Sequence, residues 1–290
     1  MPVHDNLGIR MKENYENVSK TRLVRRMPVA IRIDGKAFHT FTKGFQKPFD
    51  KFLIKAMQDT TLYLCKNIQG CVFGYTQSDE ITLILVDYNN LETCAWFDYE
   101  VQKLCSISAS MATMIFNKTW YEQIKETEEL QEKIELGTNS MKDITTFYDQ
   151  YCIEDFEDGW EEFFNHMPAY KKVAGTAMFD ARCFNIPKEE VTNLIYWRQL
   201  DAERNSVQMV GQTCFSHKEL HGLSCKAIKE KLFTERNIDW DGLKPYLKRG
   251  SAVCKLNING NSEWVLREDF PMLKGEARRL VDNLVYVGEE

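Results

Sequence analysis

The spacing of apolar residues between positions 29 and 186 is the feature that constrains the fold most strongly. Apolar residues alternate in the strand-like segments and recur every three or four residues in two helix-like ones. The predicted elements are, in chain order, a strand at 29–34, a helix at 49–64, strands at 71–75 and 81–86, a helix at 97–117 and a strand at 178–186. This β-α-β-β-α-β order predicts an α+β fold with the ferredoxin-like arrangement.

Two carboxylates stand where predicted strands meet turns. Asp34 ends the first strand, and Asp79 lies in the turn that precedes the third. In the ferredoxin-like arrangement the first and third strands are central, adjacent and antiparallel, so the end of one lies beside the start of the other. Topology therefore predicts that Asp34 and Asp79 lie close together.

A pair of facing aspartates indicates a metal site, because the two charges repel each other unless a cation neutralises them. Magnesium prefers such hard oxygen ligands, and two magnesium ions can promote an in-line displacement at phosphorus. Gly35 would also let the backbone approach a phosphate closely. We therefore predict a polymerase-type palm that transfers nucleotides. The alternative is that Asp34-Gly35 is only a turn and Ser78-Asp79-Glu80 only a hairpin tip.

The net charge of −6 is unevenly distributed along the chain. Residues 121–164 hold 14 acidic residues against 3 lysines, a net of −11, which leaves +5 on the remainder. A basic body of this kind is compatible with a phosphate-rich partner. We predict an acidic insertion at about 121–168 within a catalytic domain of residues 1–187.

The remaining residues, 188–290, form a mainly helical region in this interpretation. Helices are predicted at 189–210 and at 218–233, the second capped by Ser216. A strand at 251–258 with a partner around 264–266 would form a terminal hairpin.

Cysteine usage and hydropathy indicate the compartment. The nine cysteines form no C-x-x-C pair, and no apolar run is long enough for a membrane helix. The first residues also lack a signal-peptide pattern. A cytoplasmic protein without membrane contact is the expectation.

Several short motifs together resemble the tRNA-His guanylyltransferase family and its bacterial and archaeal relatives, which are 3′-to-5′ polymerases. The motifs are Arg32–His39 with Phe41, Lys47-Pro48, Gln77–Glu80, Phe179–Arg182, and Tyr196–Gln199 with Asp201. The resemblance implies that Asp34, the Gly35 carbonyl and Asp79 hold two Mg²⁺ ions, with both aspartates catalytic.

The resemblance also implies the substrates and a homotetramer. ATP would activate the 5′ end of a tRNA, and the 3′-hydroxyl of GTP or another nucleoside triphosphate would then attack it. The implied nucleotide-binding residues are Gly35, Lys36, Ala37, Phe38, His39, Lys47, Ser78, Asp79 and Lys103. Possible RNA or phosphate contacts are Arg182, Arg198, Asn205, Lys248 and Arg249, although Arg182 and Arg198 could equally pair with Asp180 or Asp201.

Two departures from the family pattern indicate which branch the chain resembles. Where eukaryotic members carry His-Ile-Asn-Asn-Leu-Tyr-Asn, residues 203–209 keep only Asn205. Asp98-Tyr99-Glu100 replaces a basic run before Lys103. Both favour the like-protein branch, which repairs truncated tRNA 5′ ends by copying the opposite strand. The alternatives are a palm-fold nucleotide cyclase and a catalytically idle RNA-binding palm.

Overall fold

The computed structural model describes residues 6–140, 142, 143, 145, 146, 163–258 and 260–288. Six strands and ten α-helices lie entirely within this part of the chain. In chain order they are α1 (Asn6–Met11), β1 (Val29–Gly35), α2 (Phe38–Phe41), α3 (Lys51–Asn67), β2 (Cys71–Gln77), β3 (Glu80–Leu85), α4 (Val101–Glu135), α5 (Met167–Val173), β4 (Phe179–Asn185), α6 (Lys188–Cys214), α7 (His217–Leu220), α8 (Cys225–Arg236), α9 (Pro245–Arg249), β5 (Ser251–Ile258), β6 (Asn261–Arg267) and α10 (Arg279–Val285).

All six strands form one antiparallel sheet in the order β4-β1-β3-β2-β5-β6. The α+β class is thus confirmed, and β1 and β3 are adjacent and antiparallel as predicted. The C-terminal hairpin does not stand apart from the sheet, because β5 pairs with β2 through registers such as Gly74↔Val253. Local patterning revealed the hairpin but not this long-range pairing.

The two faces of the sheet build two separate cores. Val29, Ile31 and Ile33 of β1 point to the face covered by α3 and α4. Ala30 of the same strand and Ile84 of β3 point to the other face, where α6 and α10 pack. The alternation of β1 thereby places Arg32 and Asp34 on the α6 side of the sheet, since side chains along a strand alternate with a period of two.

The second predicted helix is wrong at both ends. Phe97 and Asp98 have positive φ angles inside a 3₁₀ turn, so α4 begins only at Val101. It then continues to Glu135, through the start of the predicted acidic insertion. The reason is an apolar stripe that runs on beyond residue 117, formed by Trp120, Ile124 and Leu130.

The end of the acidic stretch packs into the main core. Phe163 and Tyr170 lie against the ring of Phe52, at centroid distances of 6.1 and 4.6 Å. The Trp120 indole donates a hydrogen bond of 3.1 Å to the Tyr170 carbonyl. Aromatic residues at 147, 148, 151, 156 and 160, which the sequence indicates as part of a packed insertion, lie outside the described residues.

The single helix predicted at 218–233 is wrong, because two helices occupy this segment. Ser216 caps α7 through a capping box with Glu219. Gly222 then takes a φ of +79°, and Ser224 starts α8 by accepting a hydrogen bond from the Ala227 amide. Among the described residues, no helix is long and apolar enough to cross a membrane.

Candidate active site

Asp34 and Asp79 lie at the same end of the sheet. Asp34 pairs in register with Glu80 of β3, the residue that follows Asp79. The Gly35 amide donates a hydrogen bond of 3.0 Å to the Asp79 carbonyl, and the Ser78 hydroxyl donates one of 3.0 Å to Asp79 Oδ1. The tertiary fold therefore brings together the two carboxylates, as the strand order predicted.

The surroundings of Asp34 and Asp79 disfavour the charged form of both carboxylates. Burial raises the pKa of Asp79, and the charge of Asp34 raises it further, against hydrogen bonds from its own backbone and from Ser78 that lower it. Burial also raises the pKa of Asp34, followed by the charges of Glu80 and Asp180. A bound cation would offset the burial and the repulsion that disfavour these two negative charges.

A cavity of about 490 Å³ opens at the two carboxylates. Its lining combines the carboxylates with the backbone that follows β1 and with the start of α3. The predicted site residues among its lining are Asp34, Gly35, Ala37, Phe38, His39, Lys47, Ser78 and Asp79. The volume is that of a typical small-ligand pocket.

The backbone between β1 and α2 is shaped by one glycine and one buried ring. A Cβ atom on Gly35 would lie 2.4 Å from the Phe38 ring, so no larger residue fits there without a shift. Phe38 itself is buried and stacks on Phe41 at 4.7 Å. Ala37 and Ser78, which both line the cavity, have left-handed φ angles, which cost roughly 1–2 kcal/mol each.

Asp50 is a site residue that the sequence analysis missed. It is buried, lines the cavity and caps α3 by accepting a hydrogen bond of 2.8 Å from the Leu53 amide. It also accepts hydrogen bonds from the Gln46 amide at 3.0 Å and the Tyr170 hydroxyl at 2.7 Å. Asp50 follows Lys47-Pro48 by two residues at the start of a predicted helix, a position where an aspartate is typical of a helix cap, and this pattern could have identified it.

A smaller cavity of about 110 Å³ adjoins the first and shares Ser78, Asp50 and Met209 with it. Asn205 of α6 and Lys248 of α9 line it. Lys248 Nζ donates to the Asp241 carbonyl at 2.5 Å, and burial followed by the charge of Arg249 lowers its pKa. These two predicted RNA contacts thus lie in a cavity that adjoins the one at the carboxylates.

Two predicted nucleotide contacts lie outside both cavities. Lys36 is exposed, and its amide donates to the Met178 carbonyl at 2.8 Å. Lys103 stands in the first turn of α4, with its ammonium 3.9 Å from Glu100 and 5.7 Å from the Phe97 ring centroid. Cys183 of β4 lies next to that turn, with its Sγ 3.9 Å from the Val101 carbonyl. The β4 residue that pairs with Asp34 is Asp180, three residues earlier in the strand.

The three arginines among the predicted RNA contacts have different surroundings. Arg198 is buried, with Nε 2.7 Å from Glu80 and a second nitrogen 3.1 Å from Asp201. It therefore forms the ion pair with Asp201 that was the alternative to a phosphate contact. Arg249 donates to the Phe270 carbonyl at 3.1 Å. Arg182 is exposed on β4 and makes a long ion pair of 3.7 Å with Asp180.

The donor set suits magnesium more than a metal that needs many protein ligands. In the described part of the chain, no group of three or more histidine, cysteine or acidic side chains gathers as a metal site. Two carboxylates and the accessible Gly35 backbone are hard oxygen donors, and magnesium commonly completes its shell with water and substrate phosphates. The residues present therefore fit this ion.

Comparison with known proteins gives a consistent picture. The family model of tRNAHis guanylyltransferase, Thg1, matches residues 9–136. The solved structure of a bacterial Thg1-like protein in complex with ATP superposes with a TM-score of 0.74 at 36% identity, over 97% of this chain and 100% of that one. The chain belongs to the Thg1 family.

Two further matches agree with this assignment. A bacterial Thg1-like protein in complex with GTP has a TM-score of 0.71 at 33% identity, over 98% of this chain and 100% of that chain. A probable tRNA(His) guanylyltransferase of Dictyostelium discoideum is 22% identical over 92% of this chain and 89% of its own length. As a Thg1-family member the chain is a nucleotidyltransferase.

Proposed function

We propose that this Thg1-family chain adds nucleotides to the 5′ end of tRNA in the 3′-to-5′ direction by copying the opposite strand. The observation that carries the proposal is the convergence of Asp34 and Asp79 on one cavity with Lys47 and with Gly35, Ala37, Phe38 and His39. It is the arrangement that a polymerase-type palm uses, and we propose that β1–β4 with α3 and α4 form such a palm.

Two magnesium ions would be held by the Asp34 and Asp79 carboxylates and the Gly35 carbonyl. When bound they would supply charge stabilisation to the transferred phosphoryl group. The Ser78 hydroxyl, 3.0 Å from Asp79 Oδ1, keeps that carboxylate oriented. The Gly35 amide, bonded to the Asp79 carbonyl, fixes the spacing between the two strand ends.

The nucleoside triphosphate is proposed to bind along residues 35–39. The first amides of a helix have no acceptor within it, so Phe38 and His39 at the start of α2 can donate to phosphate oxygens. Lys47 lines the same cavity and supplies a compact positive charge. Bacterial Thg1-like proteins were solved with ATP and with GTP, which supports ATP as the activator and other triphosphates as substrates.

Template dependence is supported by where the divergent segment lies. Residues 203–209 belong to α6, and Asn205, Ser206 and Met209 line the cavity beside Ser78. The segment in which the chain departs from the eukaryotic pattern is therefore at the site itself. Its change would alter how the 5′ end is held, rather than the phosphoryl chemistry at Asp34 and Asp79.

We further propose that the chain works as a homo-oligomer, with a tetramer as the expected form. Helix α1 contributes no residue to the buried core. Leu7, Ile9 and Met11 along it are exposed, an unusual state for a run of apolar side chains. Light scattering on the full chain and on a variant lacking residues 1–18 would test whether this segment joins subunits.

The decisive experiment uses tRNA that lacks its first nucleotide, with ATP and each labelled triphosphate in turn. Addition that follows the opposing base supports the proposal. Guanylate added whatever the template contradicts template dependence, and a cyclic product formed without tRNA would indicate a cyclase. If wild-type protein binds triphosphates but adds no nucleotide to any RNA, the result would favour the alternative of a catalytically idle RNA-binding palm.

A further inference from the structure

An exposed tryptophan contacts Arg32, which precedes Asp34 by two residues on β1. Trp197 of α6 is 51% exposed, whereas Trp96, Trp120 and Trp240 are at most 8% exposed. Tryptophan is highly buried on average, so a half-exposed indole next to a polar site is informative. The chemistry assigned above to the cavity uses no part of this side chain.

Two arginines contact the face of the indole ring. The guanidinium carbons of Arg32 and Arg198 lie 5.6 and 4.7 Å from the ring centroid. Both guanidinium groups bind Glu80, at 2.8 and 2.7 Å, and Glu80 directly follows Asp79 in the chain. Because a buried carboxylate fixes both arginines, the indole keeps a defined position relative to the carboxylates.

The surface around Trp197 is open and lies near Asp34. Arg32 precedes Asp34 by two residues on the same face of β1, a separation of about 7 Å between Cα atoms. Arg182 pairs in register with Arg32, and its side chain is 64% exposed on β4, one of the two edge strands of the sheet. An aromatic ring and an accessible guanidinium thus flank the approach to Asp34.

We propose that Trp197 stacks against the terminal base at the acceptor end of the tRNA, while Arg182 binds the adjoining RNA backbone. This inference rests on the proposed function. Stacking on an aromatic side chain tolerates every base, because each base presents a π-face. That tolerance suits an enzyme that copies a template, since the terminal base then varies from one substrate to the next.

A second copy of the chain could instead cover Trp197 in an oligomer. The open guanidinium of Arg182, which pairs in register with Arg32, favours RNA, because an exposed cation complements a phosphate backbone. The two occupants are separable by experiment, since an interface role would change the oligomeric state and an RNA role would change only RNA binding. Light scattering is therefore measured on every variant below.

The test uses a hairpin RNA that reproduces the acceptor stem, with 2-aminopurine as its terminal 5′ base. Wild type is compared with Trp197→Ala, Trp197→Leu and Trp197→Phe, and with Phe233→Ala as a control that removes another exposed aromatic ring, on α8. Binding is followed by fluorescence without triphosphate, and the KM for RNA and the KM for triphosphate are measured separately.

We expect wild type, Trp197→Phe and Phe233→Ala to quench the terminal 2-aminopurine. Trp197→Ala and Trp197→Leu should lose the quenching and raise the KM for RNA by about 10- to 100-fold, with the KM for triphosphate unchanged. Unaltered quenching and KM in Trp197→Ala, or a change of oligomeric state in that variant, would overturn the inference. If wild type adds no nucleotide to any RNA, the proposed function itself fails.

Discussion

The Gly35 amide donates a hydrogen bond to the Asp79 carbonyl over 3.0 Å, and this contact joins the end of β1 to the turn before β3. It fixes the separation of the two strand ends that carry Asp34 and Asp79. The geometry of the carboxylate pair therefore depends on backbone pairing within the sheet, which is more rigid than a site built on loops. Substitutions of the carboxylates should accordingly affect chemistry more than folding.

Asp79→Asn should reduce nucleotide addition by about 1,000-fold or more. The proposed site loses a negative ligand for the cations, which supply several kcal/mol of transition-state stabilisation, and each 1.4 kcal/mol is tenfold in rate. Single-turnover assays with and without a magnesium chelator measure the loss, and thermal unfolding checks the fold. A variant that keeps wild-type, chelator-sensitive activity would contradict the assignment of Asp79.

Lys47→Ala should raise the KM for triphosphate about tenfold or more and leave the melting temperature nearly unchanged. Lys47 lines the cavity, and its ammonium is the charge placed to attract phosphates. Lys103→Ala is the matched control, because Lys103 lies outside that cavity beside Glu100. We expect less than about a twofold change there; a larger one would mean that a neighbouring subunit completes the site.

Gly35→Ala should impair both activity and stability. Its new Cβ would be 2.4 Å from the buried ring of Phe38, and overpacking of this kind costs about 1–3 kcal/mol. Chemical unfolding gives the loss of stability, and the addition assay gives the loss of activity. Combining Gly35→Ala with Phe38→Leu should restore part of the stability, and no recovery would argue against the steric cause.

Arg198→Ala should destabilise the fold by about 1–3 kcal/mol, because the buried carboxylate of Glu80 loses one of its two guanidinium partners and keeps only Arg32. Arg182→Ala is the comparison, since its side chain is exposed and its ion pair with Asp180 is long, at 3.7 Å. We expect that variant to fold as wild type and to bind RNA less tightly. Equal unfolding free energies for both variants would contradict the burial argument.

The pH dependence of stability should reveal Asp50. Burial raises the pKa of its carboxyl in the folded state above the unfolded value of about 3.9. The folded chain then binds more protons, so the contribution of Asp50 to the free energy of unfolding is greatest below pH 4 and falls as pH rises through the folded-state pKa. Wild type should lose stability over this range relative to Asp50→Asn, and a constant difference between the two would refute the shift.

How far the sequence predicted the site differs from residue to residue. Asp34 and Asp79 were predicted to meet because strand order follows from the local apolar periods and fixes which strand ends are neighbours. Arg198 carried a phosphate-binding interpretation that local sequence could not test. Its burial against Glu80 depends on the packing of α6 over the sheet, a contact across 118 residues of sequence.

The sequence by itself determined the alternation of β1, the helix that follows it and the turn chemistry at Gly35 and Ser216, because these depend on neighbours a few residues apart. Only the tertiary structure decided that β5 pairs with β2 and that Asp50 accepts a hydrogen bond from Tyr170. It also decided that Trp197 packs against two arginines that form ion pairs with Glu80. These are contacts between distant segments, and their partners are chosen by the packing of whole elements rather than by any local pattern.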